Sequence, residues 1–344
     1  MACPLYSYTG FCFFIVYILF PLVVYLFPFI IIKLVFKGSS NQTEYLKNPE
    51  NFGFTMRNLR NFRIRNTNYN YELGAWQIIC IDDETPGYVP LNKAEFETIF
   101  ANNRPILLYF HGNKDSRGIK YRVNFYHLLR KIGFHVLTID YRGYGDSPGT
   151  LQNENDALED TFITFKYLMS IAPNSSVFVW GHSLGTGISS IFVNKLASLG
   201  LKYNVMALVL EAPFTSIPDF MNYTPYLGLW RIMFYFNLVF QQSAINQKLT
   251  FNSTKNLATF FAPILIMHAE DDQVISVEMG QQLYSSIFDI KTDTFFKRFS
   301  YLLQLGHSGI TTYDNLPKLI KDFTAAALAQ NFTGIQMMFN TDNY

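Results

Sequence analysis

Charge is scarce in this chain. Only 15% of its 344 residues are Asp, Glu, Lys or Arg, and the net charge is +1. Tracking a nucleic-acid backbone takes a patch of surplus Lys and Arg, so no nucleic-acid partner is expected. Cysteine is scarcer still: Cys3, Cys12 and Cys80 leave one thiol outside the apolar N-terminal region. No disulfide within the main domain follows from that count, and the compartment stays open. No Cys or His spacing suits zinc, no G-x-x-x-x-G-K phosphate loop occurs, and no dinucleotide fingerprint follows a strand. Neither a metal nor a cofactor is therefore expected. Internal repeats and low-complexity tracts are absent as well.

Apolar residues are what the chain has in excess, at 49% hydrophobic and 17% aromatic. Part of that excess lies in Phe11 to Ile32, 22 residues without one charge. The length matches the ~20 residues that carry a helix across a bilayer core. Pro21 and Pro28 interrupt the run, and membrane helices tolerate proline better than soluble ones. A signal peptide would have a shorter apolar core and a small-x-small cleavage site, and none follows before Lys37. The expectation is an uncleaved anchor over residues 1–37 with an N-terminal transmembrane helix, then a polar linker over 38–70. Two signals on orientation oppose each other. Lys33 and Lys37 flank the far end of the run, which favours a cytoplasmic main domain. Glycosylation sequons at Asn41, Asn174, Asn222, Asn252 and Asn331 favour a lumenal one.

Beyond the linker the apolar pattern alternates regularly. Strands are expected at Ala75 to Ile81, Ile106 to Phe110, His135 to Ile139, Val177 to Trp180, Met206 to Leu210, Ile264 to Met267 and Phe299 to Leu303. Helices are expected at Tyr121 to Ile132, Glu154 to Ile171, after Ser183, Glu278 to Phe288 and Leu316 to Leu328. Continuous apolar strands alternating with helices imply an α/β domain, residues 71–330, whose mostly parallel sheet is covered by helices on both faces. Ligands bind such sheets beyond the carboxyl ends of the strands. An aromatic-rich stretch at about 214–260, with Tyr223, Tyr226, Trp230 and Phe234, breaks the alternation and reads as an inserted cap. It is either the ordinary core of a helical insertion or an apolar wall for an acyl chain or bilayer.

The chemistry centres on Gly181-His182-Ser183-Leu184-Gly185, set between a strand and a helix-compatible run. A serine on such a turn sits in strained backbone with its hydroxyl exposed, and the glycines admit close packing. Ser183 is the expected nucleophile, and it needs a base and a carboxylate behind that base. In this fold the acid and then the histidine follow the serine in the chain. Of six histidines only His268 and His307 come later, and His268 precedes every acid candidate. His307 is left as the base. Asp272, three residues after Ala269 and at the end of a strand, is favoured as the acid; Asp271 is expected to point away and cap the turn. Asp140 precedes the serine and is expected to anchor the Tyr141 to Gly145 loop. Charge on the substrate oxygen calls for two backbone N–H donors, those of Leu184 and Asn113, with Gly112 allowing the close approach. His111 is read as structural.

The blocks His111-Gly112-Asn113, Asp140 to Ser147, Gly181 to Gly187 and His268 to Asp272, in that order, resemble the membrane-anchored α/β-hydrolase domain-containing protein 12 family over about residues 71 to 325. The resemblance implies an α/β-hydrolase fold and an endoplasmic reticulum serine hydrolase with its catalytic domain in the lumen. It implies cleavage of lysophosphatidylserine and monoacylglycerols, lipids with a single acyl chain, with Ser183, Asp272 and His307 as the triad. One departure is that Gly306 abuts His307, a shorter loop than the family pattern. Two other readings are a thioesterase acting on acylated proteins, which requires a cytoplasmic domain, and a non-catalytic binding protein on the same fold.

Overall fold

The computed structural model describes residues 11–38, 43–67, 70–81, 89–200 and 205–332. Cys3 and the Asn41 sequon lie outside the described residues. Among the described residues, eight strands form one sheet: β1 Leu59–Asn66, β2 Tyr71–Ile78, β3 Ile106–Phe110, β4 His135–Ile139, β5 Val177–His182, β6 Val205–Glu211, β7 Ile264–Ala269 and β8 Thr294–Phe299, in the order β1-β2-β4-β3-β5-β6-β7-β8. The first two pairings, β1 with β2 and β2 with β4, are antiparallel, and the rest are parallel. Buried on both faces, β3, β4, β5 and β7 are the near-continuous apolar runs that a covered parallel sheet requires.

Among the described residues, six helices of eight residues or more cover the sheet: α1 Lys93–Phe100, α2 Lys120–Lys131, α3 Glu154–Ile171, α4 Leu184–Ser198, α5 Val277–Phe288 and α6 Leu316–Ala329. One core gathers Phe165, Phe192 and Leu283 of α3, α4 and α5; the other gathers Phe125 of α2 and Phe323 of α6. Between β6 and β7 the chain makes a cap of short helices, Ile217–Tyr223, Gln242–Asn246 and Ser253–Leu257, with tighter or wider turns between them.

Three expectations are corrected. Residues 38–70 are not simply linker, because β1 within them pairs along all eight of its residues with β2. The last strand ends at Phe299; Tyr301–Leu303 is a 3₁₀ turn with exposed side chains. The N-terminal run is not one straight helix. No single helix among the described residues is long and apolar enough to cross a membrane; Phe11–Leu26 and Phe29–Val35 pass by length and composition only as a pair bent by 98°. The break lies at Phe27 (φ −125°, ψ 67°) ahead of Pro28. Proline drives the residue before it out of the helical region and leaves a carbonyl without its N–H partner. The two arms lie against the domain, with Phe20 packed on Trp230 (5.1 Å between ring centres) and Phe36 edge-on to Phe251 (6.1 Å).

Candidate active site

Ser183 stands where β5 turns into α4, with φ 54° and ψ −122°. A non-glycine residue there is strained, and the strain holds the hydroxyl out from the turn. The turn is possible because Gly185 has no side chain: a Cβ there would come within 2.0 Å of the Phe110 carbonyl oxygen. Its backbone is pinned from the neighbouring strand, since the Ser183 N–H donates to the Glu211 carbonyl at 2.9 Å.

The three expected residues meet. The Ser183 hydroxyl donates to His307 Nε2 at 2.8 Å, and His307 Nδ1–H donates to Asp272 Oδ2 at 2.7 Å. They converge from three loops at the carboxyl ends of β5, β7 and β8. Asp272 follows β7 in a turn whose Val274 and Ile275 N–H groups both bond its Oδ1, at 2.8 and 3.0 Å. His307 comes from the loop after Tyr301–Leu303, where Gln304 and Gly306 take positive φ of 50° and 55°. That curl brings the ring to the serine although Gly306 directly precedes it. Asp271, the rival acid, makes neither contact and does not cap the turn as expected, because Asp272 Oδ1 takes those N–H groups; its own Oδ1 is buried with no hydrogen-bond partner among the described residues.

The electrostatics suit a base held by a permanent anion. Burial alone would raise the Asp272 carboxyl, but hydrogen bonds from His268 and His307 and their charges hold it well below the usual carboxylate range. The carboxylate therefore fixes the His307 tautomer and stabilises the imidazolium formed when the serine proton is taken.

Two histidines set aside from the sequence support this pair. His268 is fully buried; its Nε2–H donates to the Ile275 carbonyl at 2.9 Å and lies 3.3 Å from Asp272 Oδ2. His182 Nε2–H donates to the backbone carbonyl of His307 at 2.9 Å, tying the histidine loop to the turn that carries the nucleophile. Burial, then the nearby His307 ring, lowers the His182 pKa to about 3, so this ring stays neutral. Chain order discards His268 as a base, and adjacency to the serine was the only sequence signal for His182.

The loop after β3 lies beside the nucleophile. A Cβ on Gly112 would be 3.1 Å from Ser183 Cβ, so Asn113 follows the serine's immediate neighbour, while Leu184 opens α4. The first N–H groups of a helix have no partner within it, and the helix dipole favours negative charge at that end. The Asn113 side chain donates to the Val35 carbonyl at 3.3 Å. His111 Nδ1–H donates to the Gly112 carbonyl at 2.7 Å in full burial, a structural role. Asp140 anchors its loop as expected: its carbonyl accepts from Ser147 Oγ at 2.6 Å, and Arg117 bridges it to Asp146.

A buried carboxyl beneath the Ser183 turn carries no sequence motif. Glu211 ends β6 and accepts from the Trp180 indole N–H at 2.9 Å. Burial pushes its pKa up to about 7, against the lowering pull of that indole. The folded state thus holds this proton more tightly than the unfolded chain. The stability it contributes is complete below the ordinary carboxylate range and is lost as pH rises through about 7. Glu211→Gln keeps an acceptor for Trp180 and removes that loss. Thermal melts of variant and parent should nearly coincide at pH 5 and separate at pH 8, with the variant higher; equal separation at both values would exclude this role.

Solved structures share this architecture. The Pyrococcus furiosus esterase Pf2001 superposes with a TM-score of 0.57 over 82% of this chain and 93% of its own, at 17% identity. Est1E from Butyrivibrio proteoclasticus, with ferulic acid bound, gives 0.57 over 78% and 99%, at 15% identity. Identities that low establish a common fold and no more. The sequence profile described as serine aminopeptidase, S33, matches residues 101–256, which hold Ser183. Fold, profile and elbow serine together define an α/β-hydrolase of the serine class, a carboxylic-ester hydrolase. Sequence relatives narrow the class. The chain is 31% identical to lysophosphatidylserine lipase ABHD12 of Danio rerio over 318 residues, 90% of this chain and 81% of that protein. It is 34% identical to lysophosphatidylserine lipase ABHD12 of Rattus norvegicus over 234 residues, 66% of this chain and 58% of the relative. The chain belongs to the ABHD12 family.

Proposed function

We propose that this protein cleaves the acyl ester of single-chain lipids, lysophosphatidylserine and related lysophospholipids together with monoacylglycerols, through an acyl-enzyme on Ser183. The observation that carries the reading is the continuous hydrogen-bonded path from Ser183 through His307 to Asp272. Ser183 Oγ attacks the ester carbonyl as its proton passes to His307 Nε2, and Asp272 stabilises the cation. The Leu184 and Asn113 N–H groups receive the oxyanion. His307 then returns the proton to the departing alcohol, and water repeats the sequence to free the fatty acid. Phe214 and Phe251 of the cap pack over Gly187 in the first turn of α4, so the apolar core of the cap lies close to the nucleophile. The names of the ABHD12 relatives support the serine head group.

Full-length protein in mixed micelles should release fatty acid from lysophosphatidylserine and monoacylglycerol, with a first-turnover burst of the alcohol product. Turnover confined to acyl thioesters would overturn this substrate class.

The reading extends to residence in the endoplasmic reticulum membrane with the hydrolase domain in the lumen. The sequons support it, Asn174 being exposed in the turn between α3 and β5. Endoglycosidase should shift the mobility of the protein from cells, and Asn174→Gln should remove one step of that shift. A parent chain unaffected by the enzyme would place the domain on the cytosolic side.

A further inference from the structure

Between Phe29–Val35 and the loop that follows β4 the structure holds a cavity of about 370 Å³. Small-ligand sites begin at roughly that volume. Its two walls touch at one end, where a Cβ on Gly38 would come within 2.8 Å of the Gly143 carbonyl oxygen. The lining is divided in character. Phe29, Phe36 and Leu151 make an apolar side, while Lys33 and Lys37 bring two ammonium groups to the other. No carboxylate lines the cavity, and neither lysine forms an ion pair among the described residues. Arg142, also in the wall, is already held by Asp160 and Glu159. Tyr144 completes the wall, and its buried hydroxyl has no acceptor among the described residues. Two free cations, an O–H without an acceptor and an apolar side together suit an amphiphile with an anionic head.

The cavity adjoins the catalytic site through packed contacts. The Tyr144 ring meets His111 edge-on at 5.2 Å between ring centres. His111 directly precedes Gly112, where a Cβ would be 3.1 Å from Ser183 Cβ. On the other wall, Phe36 packs on Phe251 of the cap, and Phe251 in turn lies against Gly187 in the first turn of α4. An amphiphile whose ester sits at the serine thus finds the cavity one layer of residues away.

We propose that this cavity is the head-group subsite for anionic single-chain lipids, with Lys33 and Lys37 taking the phosphate and carboxylate of a phosphoserine head and Tyr144 donating to a phosphate oxygen. The inference rests on the lipid-hydrolase reading above and extends it to selectivity. Lysine binds phosphate as a compact point charge, with no need for a fixed fork geometry. A monoacylglycerol carries no anion for the two cations, so it uses the triad without using this subsite. Lys33 and Lys37 therefore set the preference between the two lipid classes and leave the chemistry alone.

The test compares two substrates on the full chain in neutral detergent micelles. In Lys33→Gln/Lys37→Gln, kcat/KM for lysophosphatidylserine should fall about tenfold, each exposed cation contributing a few-fold. The loss should lie in KM with kcat held, the mark of binding lost equally from ground and transition states. Turnover of monoacylglycerol should stay within about twofold of the parent. Lys131→Gln/Lys195→Gln, at the far ends of α2 and α4, removes the same net charge and should leave both substrates unaffected. An equal loss in that control would reduce the effect to overall charge and overturn the subsite, as would equal losses on both lipids or none on either. A parent that hydrolyses neither lipid sinks the hydrolase reading and this one with it, whereas unchanged selectivity in an active enzyme sinks this one alone. Inhibition of the parent separates the two sources of phosphate. Glycerophosphoserine should block lysophosphatidylserine turnover at lower concentration than inorganic phosphate does; equal potency would make the occupant free phosphate and overturn the lipid assignment.

Discussion

Ser183→Ala is expected to abolish labelling by a fluorophosphonate and to lower ester turnover by about 10⁴–10⁶-fold. The cost in stability should be small, about 1 kcal/mol, because one hydroxyl hydrogen bond is lost. The Ser183 N–H bond to Glu211 and the carbonyl bond from Thr186 N–H remain. A second substitution, His307→Ala, should add little, since nucleophile and base act as a unit. Labelling assays and thermal melts of the single and double variants check both statements together. A Ser183→Ala protein that still labels as the parent does would leave the elbow as a mere tight junction.

Asp272→Asn should cost about 10³–10⁴-fold in turnover while the fold survives. The amide can still accept the Val274 and Ile275 N–H bonds that shape the turn. What it loses is the anion facing two histidines. An NH₂ group placed opposite His307 Nδ1 favours the tautomer with its proton on Nε2, which cannot accept from Ser183. Asp271→Asn is the matched control, one residue away and without contact to His307, and its turnover should stay within about twofold of the parent. Comparable losses in both variants would assign the acid to neither. The comparison is best made as kcat, because the acid acts on chemistry and not on lipid partitioning.

The site was more legible in the sequence than the fold around it. Chain order alone selected His307 among six histidines, because a hydrolase of this kind places its base after its acid. Asp272 followed from its position after an apolar strand that ends in a small residue. The partners of this group left weaker marks. His268 looked redundant by order, yet it shares the Asp272 carboxylate, and only packing brings the two together. Glu211 carries no motif; its importance comes from being sealed beneath Ser183 at the end of β6.

Among the fold elements, β1 was hidden by its own composition. Leu-Arg-Asn-Phe-Arg-Ile-Arg-Asn alternates poorly because an edge strand is half-exposed on both faces. Its arginines are also held by partners remote in sequence, Arg60 by Glu97 and Arg63 by Asp146. The apolar Phe299 to Leu303 run read as a strand through composition alone, whereas Lys297 and Arg298 disguised the real one. Pro28 was visible throughout. Whether a proline merely kinks or sharply folds a helix depends on what receives the second arm, and here the domain itself receives it.

The Asn113 amide reaching to the Val35 carbonyl has a practical corollary. Investigators often trim greasy leader segments to make a lipase easier to purify. Cutting this chain at Gly38 would strip away the group that steadies the β3 loop, the source of one oxyanion donor. A trimmed enzyme would report the chemistry of a slackened loop, and its weakness toward lipids would be misread as poor substrate fit.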